Sequence, residues 1–207
     1  SEKERSPDIL SFQGLGASRL YGDDPDLMSL KPLAREVLFF IVDRKRVERE
    51  QLLENFWPHH PPGRQVSNLH TALYSLRRLL GKDSIVHDGA SYAINPDLNT
   101  EYDVARFGRA AAVAEGLPPG DPRRMFALTE AIHSYAGPFL PEFNNEWVVD
   151  RRRFLELRYL DLLSLHAQEA LVRDQASRAV QTLREALEID PLRDDTNLHY
   201  LEALGRL

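Results

Sequence analysis

The chain has no cysteine, only two tryptophans and two methionines, and only four lysines among its 207 residues. The missing cysteines exclude a disulfide framework, a thiolate nucleophile and any cysteine-ligated zinc site. No run of eighteen apolar residues exists, so no helix is expected to span a membrane and no membrane partner is expected. The opening stretch SEKERSPDIL lacks the apolar core of a secretory signal. With no cysteine as well, the expected location is cytoplasmic. Hydrophobic residues make up 43% and charged residues 28%, the balance of an ordinary globular protein with enough chain for one large domain or two small ones.

Net charge is −6, an unpromising figure for a nucleic-acid binder until the chain is divided. Residues 1–100 carry 13 basic and 14 acidic groups, and residues 101–207 carry 13 and 18. All four lysines lie in the first half, and between Lys31 and Lys82 ten basic residues face five acidic ones. Phosphate contact requires a basic face rather than a basic protein.

Short apolar runs separated by turn formers open the chain: Ile9–Phe12, Ser18–Tyr21 and Leu27–Leu30, with glycines at 14 and 16 and the turn Gly22–Asp26 between them. They predict three short antiparallel strands. At Pro32 the period changes to that of a helix, with Leu33, Val37, Phe40 and Ile41 on one stripe to about Asp43. A second helix is predicted over Arg49–Phe56, stopped by Pro58, followed by the stiff loop His59–Gly63. The third, Arg64–Leu80, has the clearest pattern: Val66, Leu69, Leu73, Leu76 and Leu80 recur at three and four residues, and Gly81 closes it. Ser84–His87 and Ser91–Ile94 flank an Asp88-Gly89-Ala90 turn, a hairpin signal. Strands, three helices and a hairpin form the element order of a winged helix-turn-helix over residues 8–100.

From Asp103 onward the periodicity is helical: Asp103–Glu115, Arg123–Tyr135, Trp147–Val172, Ala176–Glu188 and Asp194–Arg206. The long helix carries Phe154, Leu157, Leu160, Leu163 and Leu171 at apolar positions. Leu165-His166-x-x-Glu169-Ala170-Leu171-x-Arg173 recurs as Leu198-His199-x-x-Glu202-Ala203-Leu204-x-Arg206, a 33-residue period. Such a period marks stacked helical hairpins. Ala179, Leu183, Ala186 and Pro191 between the copies have tetratricopeptide second-helix spacing. The second copy has no second helix of its own, so either the parent protein continues past Leu207 or the last helix caps the stack. The expected fold class is mostly α with a small β component: a winged helix followed by an all-α, tetratricopeptide-like domain over 101–207.

Asn68–Gly81 (NLHTALYSLRRLLG), the preceding Phe56-Trp57-Pro58, Ser91–Phe107 and Tyr135–Phe143 (YAGPFLPEF) together resemble a response-regulator-type winged helix joined to a bacterial transcriptional activator domain, the pairing of antibiotic regulatory proteins. The resemblance implies a DNA-binding transcription factor, most simply an activator. Its helical half would serve dimerisation or partner contact, and the Pro58–Gly63 loop would face RNA polymerase.

In a winged helix the third helix occupies the major groove and the hairpin reaches the adjacent minor groove. With the leucine stripe inward, Ser67, Thr71, Tyr74, Ser75 and Arg78 face outward, and Arg64 and Asn68 sit toward the N-terminal end. These groups suit base edges and phosphates. Arg77 falls at the core boundary, with a phosphate or a packing role. Lys31 would add a phosphate contact at the start of the first helix. His87 and Ser91 would be the wing's contributions. Relatives commonly have arginine where this chain has Ser75, and their wings usually supply arginine or lysine, which His87–Ser91 lacks. The alternative is a scaffold whose winged helix no longer binds DNA.

Other constellations carry less. Gly14-Leu15-Gly16 has no third glycine and opens no helix, so it is no dinucleotide loop. His59-His60 diverge in an extended loop. His133, His166 and His199 are 33 apart and read as repeat positions rather than a metal ladder. Arg151–Arg153 read as a solvated face, and Trp57 and Trp147 as packing residues. No nucleophile–base set is legible, so neither enzymatic activity nor a cofactor is expected.

Overall fold

The computed structural model describes residues 9–22 and 26–207. Most of the Gly22–Asp26 turn and the stretch before Ile9 therefore lie outside the described residues. The chain divides into two compact units, one of residues 1–104 with 140–147, the other of 105–139 with 148–207.

In the first unit, β1 (Leu10–Gln13) pairs antiparallel with β2 (Arg19–Tyr21). The expected third strand is instead a 3-10 turn, Leu27–Ser29. The Asp26 carboxylate accepts from the Met28 amide at 3.0 Å and coils the chain. Leu27 and Leu30 are buried while Met28 is exposed, a three-residue spacing that an alternating strand cannot satisfy.

Helix α1 (Pro32–Arg44) starts with proline at its first turn, where the missing N–H costs nothing. It is buried on nearly all sides: Val37, Leu38, Phe39, Phe40 and Ile41 have no exposed surface, whereas Leu33 is exposed. The predicted single stripe is thus too narrow for a central helix. A three-residue strand, β3 (Arg46–Glu48), follows unannounced by the sequence. Then α2 (Arg49–Phe56) opens with a capping box between Glu48 and Gln51.

Helix α3 (Pro62–Leu80) begins two residues earlier than expected, because Pro62 takes its first position and Gly63 its second. Leu69, Ala72, Leu73 and Leu76 are buried, and Gly81 ends the helix at φ 106°. The hairpin β4 (Ile85–Asp88) and β5 (Ser91–Ile94) turns over Gly89-Ala90, with Gly89 at φ 64°. β5 also pairs with β3, making a three-stranded wing sheet in the order β3-β5-β4. β6 (Thr100–Tyr102) returns to pair parallel with β1.

Residues 140–147 complete this unit's core. Trp147 meets Phe40 edge-on at 5.0 Å, and Phe40 meets Phe56 at 5.4 Å. The buried Glu36 carboxylate accepts from the Trp147 indole at 2.7 Å and from the Asn145 amide, so a deeply placed charge has donors around it. Trp57 is also buried.

The second unit is helical: α4 (Asp103–Gly116), α5 (Arg124–His133), α6 (Glu146–Val172), α7 (Ala176–Ile189) and α8 (Asp194–Leu204), the first residues of α4 and α6 belonging to the first unit. On α6, Leu155, Tyr159, Leu160, Leu162 and Leu163 are buried, while Phe154 and Leu157, expected inside, are exposed. The repeat has its expected structural meaning: Ala167, Ala170 and Leu171 of α6, Ala179, Val180 and Leu183 of α7 and Ala203 of α8 form one apolar cluster. Small residues at these points let helix axes approach closely. Glu169 is buried, accepts from the Gly120 amide at 3.2 Å and pairs with Arg173 at 2.9 Å. The fold class is as the sequence implies, mostly α with small sheets.

Candidate nucleic-acid interface

The apolar stripe of α3 faces the core, which turns its opposite side to solvent. Along that side Arg64, Ser67, Thr71, Tyr74 and Arg78 are exposed, and Asn68 and Ser75 are half-buried. Tyr74 keeps 68% of its surface open, unusual for an aromatic residue in the middle of a helix. Gly63, Val66, Ser67, His70, Thr71 and Tyr74 line a shallow concavity of about 470 Å³ along this face.

The hydroxyls on this face are already oriented. Thr71 Oγ1 donates to the Ser67 carbonyl, and Ser75 Oγ donates to the Thr71 carbonyl, each at 3.0 Å. A hydroxyl has one proton, so both present only acceptor lone pairs outward. Acceptors in a major groove match the amino groups of adenine and cytosine.

The two adjacent arginines differ. Arg77 donates from Nε and Nη2 to the Ile85 carbonyl at 3.2 and 2.9 Å, so its guanidinium ties α3 to the wing. Arg78 is exposed and, like Arg64, forms no ion pair among the described residues. Lys31 is exposed at the N-terminus of α1.

The wing differs from expectation at one residue. Ser91 is buried, its hydroxyl directed to the Asp88 carbonyl at 3.4 Å, because its strand is the middle one of the three and its side chain turns inward. It cannot contribute to an exposed face. His87 is exposed and stacks on Tyr92, with ring centroids 4.6 Å apart. Asp88 pairs with Arg46 of β3 at 3.0 Å, which offsets the only acid in the strand and spends that arginine.

Between α3 and the wing lies a cleft of about 310 Å³ lined by His70, Leu73, Tyr74, Arg77, His87 and Tyr92. His70 escaped the sequence reading, although its signal was present: His70, Tyr74 and Arg77 are spaced i, i+4, i+7, one stripe of the helix.

The remaining sequence candidates are placed elsewhere. Gly14 and Leu15 donate their amides to the Asp103 carboxylate at 2.8 and 2.9 Å, fixing a loop rather than cradling a phosphate. His166 is buried, with Nδ1 3.0 Å from Thr182 Oγ1 and Nε2 3.4 Å from Thr129 Oγ1. Burial pushes its pKa down, and nearby Arg178 adds to the shift. His133 is exposed and His199 half-buried, and no three-residue metal-binding group occurs among the described residues. In the Arg151–Arg153 triplet, Arg151 lies over Phe154, Arg152 donates to the Phe139 carbonyl and Arg153 pairs with Glu156.

Comparison with known proteins gives these arrangements a setting. Residues 102–207 match the family model for the bacterial transcriptional activator domain. The chain is 29% identical to the regulatory protein AfsR of Streptomyces griseus over 198 residues, which cover 87% of this chain and 20% of that protein. In fold it resembles Mycobacterium tuberculosis EmbR, solved in complex with a low-affinity phosphopeptide, with a TM-score of 0.79 at 20% identity. That alignment covers 96% of this chain and 55% of the other. The chain thus spans a fifth of one relative and about half of the other.

Proposed function

Since the chain belongs to the bacterial transcriptional activator domain family, we propose that it is a transcriptional regulator of the antibiotic-regulatory type that binds double-stranded DNA, with α3 in the major groove and the β4–β5 wing at the neighbouring minor groove. The observation that carries this reading is the outward face of α3: Arg64, Ser67, Thr71, Tyr74 and Arg78 lie in a row, and neither arginine forms an ion pair among the described residues. Arg78 and Arg64 supply the cations, the back-bonded Thr71 and Ser75 supply acceptors, and Asn68 reads or positions from the N-terminal end. Lys31 adds a phosphate contact, and His87 is the wing's contact. Residues 8–100 form the DNA-reading domain. Residues 101–207 mediate dimerisation or partner contact, and the loop Pro58–Gly63 faces RNA polymerase.

A second reading has its own support. The wing tip offers no unpaired arginine or lysine, since Arg46 is held by Asp88. A winged helix of that kind used only for protein contact would leave the chain a scaffold. Fluorescence anisotropy with a labelled random-sequence duplex separates the two. The DNA reading expects binding at low salt that Arg78→Ala weakens by about 1–3 kcal/mol if the side chain reads a base. The scaffold reading expects no binding even at 20–50 mM salt.

A further inference from the structure

We infer that the cleft between α3 and the wing is a proton-linked seat for one backbone phosphate of the bound duplex, with His70 and His87 as its conditional cations. This rests on the DNA reading above. Major and minor grooves are separated by a sugar–phosphate strand. A duplex with α3 in one groove and the wing in the next therefore runs that strand between the two elements. The space there is the cleft of about 310 Å³.

Its lining suits a phosphate that is engaged by protonation. From α3 come His70, Tyr74 and Arg77; from β4 comes His87; from β5 comes Tyr92. Arg77 already spends its Nε proton and one Nη2 proton on the Ile85 carbonyl, leaving three N–H groups, two on Nη1 and one on Nη2. Tyr74 and Tyr92 bring phenolic hydroxyls. The nearest acid along the strand, Asp88, is paired with Arg46, and no carboxylate lines the cleft among the described residues. Histidine is the side chain whose ordinary titration falls near neutral pH, and the lining holds two of them. An anion between them favours the protonated form of each, so binding and proton uptake reinforce one another. The stacking of His87 on Tyr92 holds that ring at the cleft wall. The β4–β5 hairpin, which contains no arginine or lysine, thereby holds DNA through its histidine.

The test is anisotropy of the full chain with a labelled random-sequence duplex between pH 8.0 and 5.5, at two salt concentrations. Wild-type affinity is expected to rise roughly tenfold or more toward pH 5.5, and the slope of log K against log salt to steepen by about 0.9, one more phosphate neutralised. In His70→Gln/His87→Gln the ratio of affinities at the two pH values is expected to fall toward one. In His87→Arg the wing's cation becomes permanent, so tight binding is expected already at pH 8.0. His59→Gln/His60→Gln, altered outside the cleft, is expected to keep the wild-type ratio; circular dichroism confirms that each variant folds. If the wild type binds DNA but His70→Gln/His87→Gln retains its full pH dependence, the phosphate seat is wrong and the DNA reading stands. If the wild type binds no duplex at any pH or salt, both fail together.

Discussion

Arg77 and Arg78 are adjacent, equally basic and assigned to opposite tasks by one helical step of about 100°. Arg77 points along the wing and holds the Ile85 carbonyl with two N–H groups; Arg78 points to solvent. Sequence alone left Arg77 between phosphate and packing, because its place on the wheel is the core boundary and its partner is a backbone carbonyl that no side-chain pattern encodes. Mutation should therefore split the pair. Arg77→Ala removes a charged donor from a half-buried carbonyl and is expected to lower stability by about 1–2 kcal/mol in a urea titration. Arg78→Ala is expected to stay within about 0.5 kcal/mol of wild type in the same titration, with its loss seen in DNA affinity instead. Equal destabilisation by both substitutions would return Arg78 to a structural role and remove it from the interface.

Among the elements, those with long local periodicity were readable and those assembled across the chain were not. α2, α3 and the β4–β5 hairpin follow from a leucine stripe, two prolines and an Asp-Gly turn. β3 and β6 are three residues each and become strands only through partners about 45 and 90 residues away, β5 and β1. The stretch at Leu27 was misread because four residues cannot separate period two from period three until Asp26 caps the turn. The polar face of α3 was legible for the same reason as its core, one being the complement of the other. The cleft with His70 was not, because it exists only once the hairpin folds back on α3.

In the helical elements the repeat was legible, and its histidine shows what the repeat does not specify. His166 is enclosed between Thr129 of α5 and Thr182 of α7, while its counterpart His199 is only half-buried. Because burial lowers the pKa of folded His166 below its ordinary 6.5, the unfolded chain takes up the proton first as pH falls. This position thus costs no stability at pH 7.5. It costs progressively more as pH drops through 6.5, levelling off once the folded ring is protonated. His166→Gln keeps a hydrogen-bonding side chain without the titration, so its Tm is expected to fall less between pH 7.5 and 5.5 than that of the wild type. Parallel Tm losses in the two proteins would show that the ring is not the group responsible.

For the whole molecule, the charge balance sets how strongly DNA can be held. A net charge of −6 opposes any polyanion at long range, and the acidic excess is concentrated in residues 101–207. Attraction must come from a few local cations, and the described structure reduces their number further. Arg46 is paired with Asp88, Arg77 is committed to the wing backbone, and each arginine of the 151–153 triplet has a partner within its own unit. Of the positions proposed for DNA, Lys31, Arg64 and Arg78 remain as permanent cations without an ion pair among the described residues. Each phosphate neutralised contributes about −0.9 to the slope of log K against log salt, so three give a slope of about −3 at pH 8.0. Anisotropy titrations between 50 and 200 mM salt measure this directly. A slope near −3 would mean that affinity rests on the α3 face and the start of α1. A slope beyond about −6 would require cations from outside that set, such as the exposed Lys45 and Lys82 or the arginines of the helical half. A slope near zero with binding retained would mean that phosphates are not what the chain holds, and the three-cation account would fall.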